Sequence, residues 1–217
     1  MIRIVEVEQG SPEWLAIRAG KVTGSKAADL FAKTRSGDEG AARRDYRIQL
    51  VTERLTGLPT EQGYVSPEMR WGTEHEAEAR AAYEAATESF VTCVGFAIHP
   101  ENDEVGCSPD GLVEWDGINS PEGIVQFKCP KSATHVGYIK AGKVPADYLW
   151  QMTLEMICTG AKWCDFVSFD PRFPKRMQLF VARYHRDEER VKTLMDAASE
   201  FLKEVREEIA FLEGRCK

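Results

Sequence analysis

The sequence has little to offer for thiolate metal binding, for disulfide cross-linking or for crossing a membrane. Its six cysteines (Cys93, Cys107, Cys129, Cys158, Cys164 and Cys216) contain no CxxC or CxH spacing. They read as reduced thiols, mostly buried as small hydrophobes, and not as a zinc site or a disulfide framework. The four histidines, His75, His99, His135 and His185, have no ligand spacing either and receive no role. No apolar run approaches the roughly 20 residues that span a bilayer, and the opening MIRIVEVEQG lacks the apolar core of a signal peptide. A soluble, cytoplasmic protein is expected. Basic charge is also scarce: the net charge of −7 argues against a surface that coats nucleic acid nonspecifically. Repeats, low-complexity tracts and long linkers are missing as well.

What is present suits a folded protein. With 217 residues, 43% hydrophobic and 10% aromatic, the chain is expected to form one compact domain over 1–217 that buries roughly 70% of its unfolded surface. Intrinsic disorder is excluded on the same numbers. The charge is uneven. Basic residues outnumber acidic ones from Arg18 to Arg54, and the reverse holds from Asp187 to Glu213. That leaves room for a local basic face on an acidic protein.

The first third reads as helical. Ser11-Pro12-Glu13 supplies an N-cap, a first-turn proline and a first-turn acid ahead of Trp14, Leu15 and Ile17. Thr23 and Ser25 can cap a second short helix carrying Ala28, Leu30 and Phe31, and Lys33 to Gly37 is a polar loop. A helix from about Ala41 to Leu55 stops at Gly57 and Pro59, and Ser66-Pro67-Glu68 opens a long one through Trp71, Ala77, Ala81 and Tyr83. The middle changes period: Phe90 to Ile98 is β-rich, and short strands at Val105–Cys107 and Leu112–Trp115 flank a turn at Pro109-Asp110-Gly111. After a loop from Ile118 to Gly123, a strand at Ile124–Lys128 ends at Pro130. A helix from about Ala146 to Cys158, strands at Cys164–Phe169 and Met177–Tyr184, and an amphipathic helix from Glu188 to Leu212 complete the pattern. The order predicts an α/β fold, a mixed central sheet flanked by helices.

The chemistry concentrates in Cys107-Ser108-Pro109-Asp110-Gly111 and Gln126-Phe127-Lys128-Cys129-Pro130. Gln126 and Lys128 are two apart on a strand and share a face, while Phe127 points to the other. A turn-held carboxylate, a side-chain oxygen and a lysine at a sheet end form a donor set suited to magnesium, which takes oxygen ligands and keeps several waters. Plainer readings exist for every residue. A Ser-Pro-Asp-Gly turn is by base rate a simple β-turn. Lys128 can be a strand-edge charge, Arg18 a solvated helix residue, and Glu76 one of a run of solvated glutamates with Glu74 and Glu78. Trp71, Tyr83 and Met69 can be core. Arg43, Arg44 and Arg47 can be a solvated face or the lining of a channel. A Cys129 nucleophile has no histidine placed as its base.

Taken together, Pro109-Asp110 and Gln126-Phe127-Lys128 resemble the PD-(D/E)XK nuclease signature, and the surroundings resemble the phage lambda exonuclease family. The matching pieces are Trp14, Ile17-Arg18-Ala19-Gly20, Thr23-Gly24-Ser25, Ala32 to Gly37, Trp71-Gly72 with Glu76, Cys107 to Leu112, Lys128-Cys129-Pro130, Tyr148 to Gln151, and Phe169-Asp170-Pro171-Arg172. They run in order over about residues 7 to 185. The resemblance implies a restriction-endonuclease-like core and a ring-shaped homotrimer. It also implies magnesium-dependent digestion of one strand of duplex DNA from a 5′-phosphorylated end, in phage-type recombination. By that resemblance Asp110, residue 126 and the Phe127 carbonyl hold two metal ions, with manganese as a substitute. Lys128 is the catalytic lysine, Glu76 a further acid, and Gln151 a residue that orders the site. Arg18, Ser25 and Ser108 hold the 5′-phosphate, and Arg35 and Met69 contact the duplex end. A single-strand annealing protein is the implied partner, in a bacterial host of the phage or prophage.

One position departs from the pattern. The family has a glutamate where this chain has Gln126, and an amide offers an oxygen without a charge. An engineered inactive form, a natural variant and a shifted register using Glu122 or Glu114 are the three readings. At the level of function, a PD-(D/E)XK endonuclease or resolvase and a catalytically silent DNA-end-binding module are the rivals.

Overall fold

The computed structural model describes residues 2–60 and 66–215. β1 (Arg3–Val5) leads into α1 (Pro12–Arg18), whose cap is the predicted one: Ser11 Oγ accepts the Trp14 N–H at 3.1 Å. β2 (Val22–Thr23) runs into a 3₁₀ helix, Gly24–Phe31, wound tighter than the α-helix expected there and without a side-chain cap. α2 (Ala41–Thr56) ends on Gly57 in the left-handed conformation, and α3 (Pro67–Thr87) follows.

The apolar run from Phe90 to Ile98 is two strands, β3 (Val91–Thr92) and β4 (Phe96–His99), and they belong to different sheets. The break falls at Gly95, where a Cβ would collide with the Val7 carbonyl oxygen, so only glycine lets the two backbones pass. The chain crosses back between β5 (Asn102–Cys107) and β6 (Gly111–Val113). Ser108, Pro109 and Asp110 therefore sit on the seam between sheets. Gln9 braces both crossings, its amide nitrogen donating to the Val94 carbonyl at 2.9 Å and the Pro109 carbonyl at 3.1 Å.

β7 (Gly123–Lys128) is followed by α4 (Ser132–Ala141), which the sequence pattern did not suggest because its apolar residues are spread around the helix and form no one-sided stripe. A 3₁₀ turn, Ala146–Tyr148, then opens α5 (Leu149–Thr159), and β8 (Trp163–Phe169) returns parallel to β7. Met177 lies in a short helix, α6 (Lys175–Gln178), ahead of β9 (Leu179–His185), and α7 (Glu188–Arg215) follows. The mixed α/β architecture is as predicted, with its strands divided between a sheet β1-β4-β5-β2 and a sheet β3-β6-β7-β8-β9. β7 is central and buried along almost its whole length.

The apolar stripe of α7 packs on helices of the same chain. Leu194, Ala198, Phe201 and Val205 join Tyr46 and Leu50 of α2 in one core cluster. Arg43 and Arg47 face this contact and pair with Glu39, while Arg43 also holds Glu204 at 2.8 Å and Arg47 holds Glu208 at 2.9 Å. These two arginines latch α2 to α7, whereas Arg44 is exposed and pairs with its neighbour Asp45.

Candidate active site

The seam between the sheets brings Asp110 against the C-terminal end of β7. Its Oδ2 accepts the Phe127 N–H at 2.7 Å. Gln126 and Lys128 share a face as their spacing requires, and Lys128 Nζ donates to Gln126 Oε1 at 2.9 Å. From α5, Gln151 Nε2 donates to the same oxygen at 2.9 Å. The amide nitrogen of Gln126 donates to Glu155 Oε1 at 3.1 Å, and Gln151 Nε2 reaches that oxygen too, at 2.9 Å. Asp110, Gln126, Lys128 and Gln151 are thus one connected cluster. Glu122 and Glu114, the acids of a shifted register, stand elsewhere: Glu122 pairs with Lys162 at 3.0 Å, and Glu114 accepts the Phe90 N–H.

Glu155 went unnoticed in the sequence. Its signal was its spacing from Gln151, four residues on, which puts both on one face of a helix. It is 1% exposed, and its Oε2 has no partner among the described residues. Burial, reinforced by the Asp110 carboxylate, pushes its pKa up to about 8 against the opposing pull of Gln151, Lys128 and Arg18. Burial also raises Asp110, while Lys128, the Phe127 N–H and Gln126 pull it down.

A cleft of about 480 Å³ opens between α3 and the end of β7, lined by Gly72 and Glu76 on one side and by Phe127, Lys128 and Tyr148 on the other. Glu76 reaches solvent at its rim. Partial burial and the Asp110 carboxylate raise its pKa. Cys129 also lines the cleft, but burial lifts its thiol to about 12, which leaves no thiolate to act as a nucleophile. Behind α3, Arg172 stacks 4.5 Å from the Trp71 ring and is held by Asp170 at 2.7 Å, so Asp170-Pro171-Arg172 braces that helix.

Arg18, Ser25 and Ser108 form a second cluster. The Arg18 guanidinium lies 4.0 Å from the Trp14 ring, with NH1 3.4 Å from Ser108 Oγ and NH2 3.4 Å from Ser25 Oγ. Trp14 Nε1 donates to Ser108 Oγ at 2.7 Å. Burial lowers the Arg18 pKa, and among the described residues no carboxylate pairs with it. The segment after Arg18 is clamped at Gly20, whose N–H donates to Glu53 Oε2 at 2.6 Å and whose carbonyl accepts Arg54 Nε at 2.9 Å. Arg35 is exposed on the loop after the 3₁₀ helix. Met69 lies on α3, but its side chain is outside the described residues, as is Cys216.

Comparison with known proteins gives this geometry a context. Residues 13–162 match the model of the YqaJ-like viral recombinase domain. The chain belongs to that family. Both sequence clusters, from Trp14 to Gln151, fall inside the matched region. The alkaline exonuclease LHK-Exo from Laribacter hongkongensis is 40% identical over 95% of this chain and 98% of its own, with TM-scores of 0.83 for one crystal structure and 0.84 for its complex with dAMP. A phage related exonuclease from Haemophilus somnus 129PT, 17% identical with a TM-score of 0.60 over 91% of this chain and 96% of that one, shares the fold. No curated protein matches. Like these exonucleases, the YqaJ-like chain has the mixed α/β core predicted from its sequence, and no described helix is long and apolar enough to cross a membrane.

Proposed function

We propose that the cleft is the active site of a divalent-metal-dependent exonuclease. It digests one strand of duplex DNA in the 5′→3′ direction from 5′-phosphorylated ends and leaves 3′ overhangs for phage-type recombination. The observation that carries this reading is the adjacency of the two clusters. Ser108, which touches Arg18, is two residues before Asp110, so an anion held by Arg18 lies beside the candidate metal site. A site that holds a terminal phosphate next to the cutting groups acts from an end. The 40% identity to LHK-Exo, whose crystals hold dAMP, supports the same class of substrate.

The donor set fits a hard cation. Asp110 offers a carboxylate, Gln126 an amide oxygen and Phe127 a carbonyl, all oxygen, as magnesium or manganese prefers. Among the described residues no three His, Cys, Asp or Glu side chains converge to hold a metal alone, so neutral oxygens must share the task. Bound ions, two per site, would supply Lewis-acid polarisation of the scissile phosphate and activation of water. The chain's own residues do the rest. Arg18 forks onto the terminal phosphate with Ser25 and Ser108 completing its shell, which sets the cut one nucleotide in. Lys128 balances charge that develops on the phosphate, and Gln151 holds Gln126 and through it Lys128. Glu76 lies across the cleft as a further acid, and Arg35 and Met69 contact the duplex end. A homotrimeric ring would keep an acidic protein on DNA with only its channel basic, and an annealing protein would receive the exposed strand. This reading places the protein in the cytoplasm of a host carrying the phage or prophage, as a single domain.

Gln126 raises a second reading, in which the chain is an inactivated nuclease or a silent end-binding module. Its complete set of hydrogen-bond partners, with Glu155 on the nitrogen and Lys128 and Gln151 on the oxygen, supports a glutamine that belongs to the site. Nucleotide release from a 5′-phosphorylated linear duplex in magnesium tests the readings, beside a covalently closed circle and the Lys128→Ala variant. The linear substrate is expected to be digested, the circle left intact, and the variant slowed by about 10²–10⁴-fold. Cutting of the circle favours an endonuclease. Cutting by Gln126→Glu alone favours an inactivated form, and end binding without cutting by either favours the silent module.

A further inference from the structure

Position 126 is neutral where a divalent cation calls for charge, yet a carboxylate stands 3.1 Å from it. Glu155 projects from α5, four residues after Gln151, onto the side chain of Gln126. It is 1% exposed, and among the described residues its only side-chain donors are the two amides of Gln126 and Gln151. Its second oxygen, Oε2, is buried without a partner. The space it occupies is made by Gly24, where a Cβ would stand 3.3 Å from Glu155 Oε1.

Asp165 and Asp170, the other carboxylates this deep, each have an arginine in contact, Arg183 at 2.8 Å and Arg172 at 2.7 Å, and the less buried Glu53 has neutral donors on both of its oxygens. Glu155 has no ion pair among the described residues. Its pairing with position 126 is also specific in chemistry: an amide nitrogen donates where a second carboxylate would meet it oxygen to oxygen. Glutamine at 126 and glutamate at 155 form a matched pair, with the carboxyl group on the helix and not on the strand.

We infer that Glu155 is the carboxylate that, with Asp110, binds the divalent cation in this chain, taking the part that the strand glutamate plays in the family pattern. Gln126 then joins Glu155 to Lys128 and keeps its amide oxygen as a neutral donor of the site. The inference rests on the reading of the cleft as a metal-dependent nuclease site and names which acid completes it.

The test is manganese binding without DNA, followed by the loss of the free-ion electron paramagnetic resonance signal. The native chain, Glu155→Gln and the exchanged double variant Gln126→Glu/Glu155→Gln are compared. Glu155→Gln is expected to weaken binding more than about tenfold, and the exchanged variant to recover most of that loss. Equal binding by the native chain and a folded Glu155→Gln overturns the inference and leaves the nuclease reading standing. No binding by the native chain overturns the metal site itself. Crystals of the native chain soaked in manganese probe the same point without any variant. An anomalous peak coordinated by Glu155 supports the inference, and a peak on Asp110 with Glu155 out of reach overturns it.

Discussion

Asp110 Oδ2 accepts the backbone N–H of Phe127 at 2.7 Å across seventeen residues of sequence. This bond ties the turn on the seam between the two sheets to the C-terminal end of the site strand. One oxygen of the carboxylate thus fixes the position of the other relative to Gln126 and Lys128.

Structure and charge can be separated at this residue. Asp110→Asn can still place an oxygen on the Phe127 N–H, so the melting temperature of the metal-free protein is expected to stay within a few degrees. Nucleotide release should fall about 10²-fold or more, because the charge that would face the proposed cation is gone. A thermal melt in chelator and a release assay in magnesium check the two halves, and a large loss of stability in Asp110→Asn would show that the charge itself holds the turn.

Arg18 should govern the choice of end. Its two arms reach toward Ser25 and Ser108 at 3.4 Å each, while Trp14 covers its face. Arg18→Lys keeps the charge but loses the fork, which costs about 1.5–3 kcal/mol of charge-assisted bonding to a terminal phosphate. Competition between 5′-phosphorylated and 5′-hydroxyl duplexes measures it. The native chain is expected to prefer the phosphate, and the variant to lose most of that preference. An unchanged preference would place the terminal phosphate elsewhere.

The clamp behind Arg18 predicts a pH dependence of stability. Burial alone would raise Glu53, but hydrogen bonds from the Gly20 N–H, Gln49 and the Thr60 N–H outweigh it and hold its pKa below the ordinary value of 4.5. A depressed folded pKa contributes stability that is present above pH 4.5 and is lost as the pH falls through the folded value. Glu53→Ala should cost about 1–3 kcal/mol at neutral pH by leaving the Gly20 N–H without its acceptor, and should flatten the acid limb of the stability curve. Urea unfolding across that range reads both effects.

Asp165 should be among the costliest polar residues to remove. It is 1% exposed and takes Arg183 through both carboxylate oxygens, at 2.8 and 2.9 Å, with the Tyr83 hydroxyl donating at 2.8 Å. Arg183 in turn stacks 3.5 Å from the Trp163 ring. Asp165→Ala leaves an arginine and a hydroxyl without their acceptor, and a loss of about 3–5 kcal/mol is expected by denaturant titration. Asp165 is absent from the cleft lining, so any folded fraction should still bind DNA ends.

Much of the candidate site was legible because it depends on near neighbours in sequence. The period of a strand puts Gln126 and Lys128 on one face whatever the strand pairs with, and the Ser11-Pro12 cap and the Gly57 stop act within a single helical turn. The family resemblance carried by Asp110, Lys128 and Arg18 was available from the order of the motifs, and the family itself was then borne out.

The rest was decided by contacts that no local pattern encodes. A nine-residue apolar run reads as one β-rich segment until Val7 is packed against Gly95, where the missing Cβ lets the backbones pass between β3 of one sheet and β4 of the other. Arg43 and Arg47 are a basic helix face in sequence. They become a latch because Glu204 lies 161 residues from Arg43 and folds onto it. Glu155 is one glutamate in an apolar helix until α5 lies along β7 and sets it on Gln126, 29 residues away. Side-chain spacing along a helix or strand fixes which residues share a face, because backbone geometry alone sets it. Which face meets which is set by burial of apolar surface over the whole chain, so Glu155 shares a helix face with Gln151 by spacing alone but meets Gln126 only in the folded chain.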